Sequence, residues 1–275
     1  MIRRSSGVAL SLLILTLVAA AQQQPETVKT PQEALKPEEP TANPARPTVS
    51  TPATLTPVGY LQFESGFLAA WHSPEFSSQS SLNEVVKYSA SRWIELVAAT
   101  GPFAHSAGNQ PANGAGDVAL GLQGVVYHGE GTKPTIAVSY FRRIYSGDTP
   151  DLDIGSARNS VILLASADVK GFHYDTNYLF NEVIDDHAVH RAQFGQTLSI
   201  SHPLGKKLGI AGELWHFTQP FFQSNAVGNL WALNYNARKN LVFDGGFNRG
   251  LTSTSTRWEV FVGFTYLLPH KVSWH

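Results

Sequence analysis

Residues 171–181 read Gly171-Phe172-His173-Tyr174-Asp175-Thr176-Asn177-Tyr178-Leu179-Phe180-Asn181. Phe172, Tyr174, Thr176, Tyr178 and Phe180 fall on one side of an extended strand, and His173, Asp175, Asn177 and Asn181 on the other. Successive side chains of a strand point to opposite faces, so the segment has one aromatic face and one polar face. A strand packed on a soluble core usually mixes aliphatic residues with a few rings. Here rings stand near both ends with a threonine between them. That is the pattern of a strand that faces lipid and carries aromatic side chains at the two membrane interfaces.

The bounds of the whole chain are compatible with that reading. It has 275 residues, a formal net charge of -1 and no cysteine. A chain with no basic excess gives no footprint for nucleic acid, and none is expected as a partner. Without cysteine there is no disulfide framework, thiolate metal site or cysteine nucleophile. Only 15% of residues are charged. Yet no apolar run after the first residues is long enough for a membrane-spanning helix.

In order along the chain, residues 1–21 read as a cleaved secretory signal peptide. Arg3 and Arg4 precede the apolar run Val8–Ala20, and Ala19-Ala20-Ala21 offers a small-x-small cleavage site. The protein is therefore expected to leave the cytoplasm of a bacterium. Residues 22–56 are rich in proline and poor in apolar side chains. Such a composition cannot build its own core, and a periplasmic spacer is expected. Residues 57–275 then alternate in the manner of residues 171–181. Strands are expected near 60–71, 82–90, 92–101, 116–128, 134–145, 159–169, 171–182, 192–202, 207–218, 226–236, 240–249 and 256–268. Residues 84–99 could also be drawn as a helix, and 161–167 are apolar on both faces. Both are kept as strands for their β-branched residues and spacing. Short connections, such as Val169-Lys170-Gly171 and Pro203-Leu204-Gly205-Lys206-Lys207, alternate with longer ones, such as 102–115 and 146–158. The fold class expected is all-β: a closed antiparallel transmembrane barrel of about twelve strands, with short periplasmic turns and longer extracellular loops. Pro269 interrupts the last alternating run, so residues 269–275 are expected to form a tail.

Several stretches carry a resemblance. Gly114-Ala115-Gly116-Asp117-Val118-Ala119-Leu120 resembles a motif of the bacterial outer-membrane barrels grouped as the MetA-pathway of phenol degradation family, often labelled "transporter". Residues 57–66 resemble that family's opening strand, and 173–178 its aromatic-Asn strand. Residues 199–215 are similar to its hairpin with a luminal Glu, and 244–252 to its penultimate strand. Together these span about 57–268. The resemblance implies an outer-membrane barrel with a transport role, a small hydrophobic or aromatic solute, and no catalytic residues or cofactor. Outer-membrane lipid and, during insertion, the barrel-assembly machinery are the other expected partners.

In a barrel the polar face lines the lumen. That assigns Gln62, Glu64, Lys87, Glu95, Asp117, Gln123, Arg143, Asp168, His173, Asp175, Asn177, Glu213, Asn234, Asp244 and Glu259 inward. So many charges are costly in an oily core but tolerable in a watered or mutually paired lumen. They can line a solute path, or they can form a network that plugs the barrel. Asp185, Asp186, His187 and His190 are suitable metal-ligand types. They fall in an expected outer loop, where polar residues are ordinary, and no metal is assigned. His72-Ser73 and His105-Ser106 are the nearest approach to a lipid hydrolase's nucleophile and base. Neighbours on a strand face opposite ways, and no G-x-S-x-G motif is present, so no enzyme is expected. A non-conducting structural or adhesive barrel is the other alternative.

Overall fold

The computed structural model describes residues 39–108, 111–147, 157–184 and 188–272, all within one compact unit. The strands are β1 (Leu61–Trp71), β2 (Ser78–Ser89), β3 (Ile94–Ala107), β4 (Ala112–Gly114), β5 (Val118–Tyr127), β6 (Thr135–Tyr145), β7 (Ala157–Val169), β8 (Phe172–Ile184), β9 (His190–Leu204), β10 (Leu208–Gln219), β11 (Ser224–Arg238), β12 (Leu241–Gly250) and β13 (Trp258–Leu267). Every pairing is antiparallel and between neighbours, and β1 pairs with both β2 and β13, which closes the ring. The short β4 pairs only with the end of β3 and adds no stave. The molecule is thus a closed barrel of twelve antiparallel strands, with no helix among the described residues.

One rim, here the turn end, carries the connections 90–93, 128–134, 170–171, 205–207 and 239–240. The other, the loop end, carries 72–77, 220–223 and 251–257 and the strand ends at Ala107 and Val118, Tyr145 and Ala157, and Ile184 and His190. Turns 170–171 and 205–207 are tight because Lys170, Gly171 and Gly205 adopt positive φ.

The alternation of the sequence becomes the two faces of the wall. Phe67, Leu96, Leu122, Trp231, Leu233 and Val262 are exposed outward. Exposed rings gather near both rims: Trp93, Tyr127, Phe172 and Tyr235 at the turn end, and Trp71, Tyr145, Phe180 and Trp258 at the loop end. An apolar band between two aromatic girdles is how a barrel meets a bilayer.

Two connections differ from expectation. Residues 102–115 are not a plain loop, because β3 runs on to Ala107 and β4 folds back on it. Pro102, which cannot donate to a ladder, is absorbed by a register shift opposite Asn83. Residues 220–223 make a shorter connection because β10 and β11 extend towards each other. At the carboxyl end β13 stops at Leu267, and the chain after Pro269 is held where the Val272 amide donates to the Gly59 carbonyl at 2.8 Å. Residues 1–21, expected to be a signal peptide, lie outside the described residues.

Candidate lumen site

The wall's inward residues follow strand parity. Gln62, Glu64, Lys87, Glu95, Gln123, Asp175, Asn177, Glu213, Asp244 and Glu259 are all buried on the interior face. His173 and Asp168 sit at the turn-end rim, where the His173 ring lies 2.8 Å from Asp168 and 3.2 Å from Asp175. Asn234 packs its amide over Gly209 on the neighbouring strand. Asp117 precedes β5 rather than lying in it. At the loop end it accepts from Arg143 at 3.1 Å and from the Gly147 amide at 2.7 Å. Alternation does not show which of these groups meet each other, because that depends on register across strands.

The interior is not empty. Residues 42–56 run inside it, which corrects the expectation of a periplasmic spacer for that part of 22–56; residues 22–38 lie outside the described part. Scarcity of apolar residues does forbid a core of the segment's own. But the barrel wall supplies the partners, and proline keeps the segment extended with few N–H groups to satisfy.

The segment's contacts pass round the wall in strand order. At the turn end the Ala42 amide donates to the Lys239 carbonyl at 2.9 Å. On β1, Gln62 accepts from the Asn43 amide at 2.8 Å and donates to the Asn43 carbonyl at 2.7 Å. Glu64 accepts from the Ala45 amide at 3.1 Å. On β12, Asp244 receives both Nε and Nη2 of Arg46, at 3.3 and 3.2 Å. On β10, Glu213 takes the amides of Val49 and Ser50 at 2.7 and 2.6 Å. On β8, Asn177 reads Thr51 as a strand partner would, accepting from its amide at 2.6 Å and donating to its carbonyl at 2.9 Å. Ser166 of β7 then accepts from the Ala53 amide, and Gln123 of β5 donates to the Pro52 carbonyl. The circuit ends on β3, where Glu95 accepts from the Thr56 amide at 2.8 Å.

Apolar contacts fill the gaps. Ala53 packs with Val125, Ala137 and Leu164, and Val49 packs against Leu179, Trp215, Phe217 and Ala226. This accounts for the inward Ile162 and Leu164, which made 161–167 look apolar on both faces: their inner partners come from the segment. Beside Arg46, Gly66 of β1 stands opposite Gly263 of β13, and Gly263 stands opposite Asp244. A Cβ at either glycine would overlap the guanidinium, so the pair forms its niche. Nearer the loop end, the Trp215 indole donates to Asn248 at 2.8 Å.

This barrel is similar to solved outer-membrane porins. An outer-membrane channel from Pseudomonas putida F1 superposes with a TM-score of 0.56 at 13% identity, over 78% of this chain and 98% of its own. The NanC porin gives 0.53 at 9% identity over 75% and 98%, and the KdgM porin 0.51 at 14% over 78% and 99%. At these identities the likeness is one of fold. No family model matches the sequence, and no curated protein does.

Two other candidate groups fall wholly or partly among the described residues. His105 and Ser106 face opposite sides of β3; His105 meets Asn113, and Ser106 is buried. Of the acidic-histidine loop only His190 is described, with its Nδ1 2.6 Å from Glu182. Among the described residues no three such side chains converge as a metal site.

Proposed function

We propose that this protein is a bacterial outer-membrane channel for the gated passage of a small solute, with residues 42–56 closing its lumen. One observation carries the reading: a closed barrel whose outer face is an apolar band between aromatic girdles, and whose inner face is polar. Membership of the MetA-pathway family, and the hydrophobic or aromatic solute it implies, belong to the same proposal and rest on the sequence motifs. So do export by residues 1–21, insertion by the barrel-assembly machinery, and a periplasmic turn end.

The filled lumen favours a second reading, a barrel that never conducts. Planar-bilayer recording separates the two. The full-length protein should be silent or flicker, and a variant with its segment loosened should give discrete steps. Silence of a folded, loosened barrel would leave the structural role.

A further inference from the structure

The wall that holds residues 42–56 is unbalanced in a particular way. Its acceptors outnumber its donors, and the segment supplies the missing donors. Every hydrogen bond made to Glu213 in the described structure comes from the segment, and those made to Asp244 come from Arg46. Of the wall's own cationic groups, Lys87 sits 2.6 Å from Glu64 Oε1, the His173 ring lies against Asp175 at the turn end, and Arg143 is paired with Asp117 at the loop end. Even with the segment in place, acceptors are left over. Among the described residues the Oε2 of Glu64, which is 1% exposed, has no partner; Thr265 is 0% exposed, and its hydroxyl, a donor as well as an acceptor, has none either. These two residues stand directly opposite each other on β1 and β13, close to the Arg46 niche. Buried acceptors without donors are costly, so a lumen built this way favours whatever brings N–H groups and positive charge.

We infer that the inner circuit is a binding site for linear cationic solutes that carry several N–H donors, of the polyamine class, and that residues 43–56 are its resident occupant. The inference rests on the channel reading above and adds a solute class to it. That class differs from the hydrophobic or aromatic one implied by the sequence resemblance. Arg46 on Asp244, followed by successive amides on Glu213, marks the positions that the solute's nitrogens would take. With the segment withdrawn, Glu64, Glu95, Glu213 and Asp244 form a carboxylate-lined constriction of the kind that selects cations. Occupant and solute compete, so the apparent affinity is reduced by the fraction of barrels still occupied.

The test keeps the full chain. Arg46→Ala/Val49→Pro/Ser50→Pro deletes the guanidinium and the N–H groups on Glu213 while leaving every wall residue. A second protein adds Glu64→Gln and Glu213→Gln to it. Heat-modifiable migration reports folding of each, and Arg46→Ala alone is read in the same way should the triple variant fail to fold. Spermidine is titrated calorimetrically in detergent at fixed ionic strength, with benzoate as the aromatic comparison. Spermidine should bind the loosened protein at least about tenfold more tightly than the wild type. The wall substitutions should abolish that gain, and benzoate should show none of it. In bilayers under a KCl gradient the loosened barrel should show a cation-selective reversal potential that collapses towards zero with the wall substitutions. Equal spermidine affinity in wild-type and loosened proteins, or affinity indifferent to the wall carboxylates, overturns the inference. So does a conducting barrel that prefers anions. Spermidine binding to a barrel that stays silent in bilayers would instead leave the site standing and remove the channel reading.

Discussion

Single positions separate the roles of the two faces. Thr176 and Asn177 are adjacent on β8 and lie at nearly the same depth, Thr176 outward and Asn177 inward. Arg at a lipid-facing midplane position costs about 2–4 kcal/mol. Thr176→Arg should therefore lower barrel stability by that order in reversible unfolding from bilayers. Asn177→Arg should leave the ladder intact and act on the lumen instead, because it removes the amide that clamps Thr51 and offers Asp175 a new partner. Comparable losses in both would mean that β8 is buried on both sides. The glycine niche makes a sharper case. Gly66→Val should displace the Arg46 guanidinium and loosen the segment while the strand tolerates the β-branched residue. Gly245→Ala, on the outer face of β12, should not. Single-channel recording checks this, and a silent Gly66→Val barrel would show that the niche does not hold the segment.

At the scale of elements, the tight turns and the long loops belong to opposite rims, so sidedness can be measured. Protease added to intact cells should spare Lys206 and Lys207 in the β9–β10 turn and cut, where it cuts, on the loop side near Arg158. Cutting at Lys206 before the outer membrane is breached would invert the barrel. The strands themselves were legible because period-two alternation is a local signal that burial enforces along each one. β8 is the clearest case, and its inward side chains are those of the opening motif. Less legible was whatever depends on a partner distant in sequence. The path of β3 through Pro102 needs the register shift opposite Asn83 on β2. The inward Ile162 and Leu164 look misplaced until Ala53 and Leu55 are set against them. Residues 39–56 show the same limit from the other side. Their composition says they cannot fold alone, and nothing local says that the wall will order them.

For the molecule as a whole, the question is what the internal segment contributes to the barrel around it. The ring is closed by the β1–β2 and β1–β13 ladders, which begin after the segment ends, so no strand pairing depends on residues 39–56. Removing residues 22–56 should therefore leave a barrel that still migrates as a compact, heat-modifiable band. What it loses is the hydrogen bonding of the circuit, whose individual members have a net value of about 0.5–1.5 kcal/mol each. The loss is bounded, because water enters with the segment gone and resolvates Glu213, Asp244 and Glu95. They do not become unpaired charges in a dry interior. The truncated protein should accordingly unfold at a lower denaturant midpoint by an amount equivalent to a few such bonds, and should conduct in steps where the full-length protein is closed. Midpoint and conductance should change together, since one displacement causes both. A truncated barrel with an unchanged midpoint and the same closed state would mean that the segment does not occupy the lumen in the membrane. One that loses the compact band would mean that the segment acts as an internal scaffold during closure, with β1 and β13 unable to find each other without it.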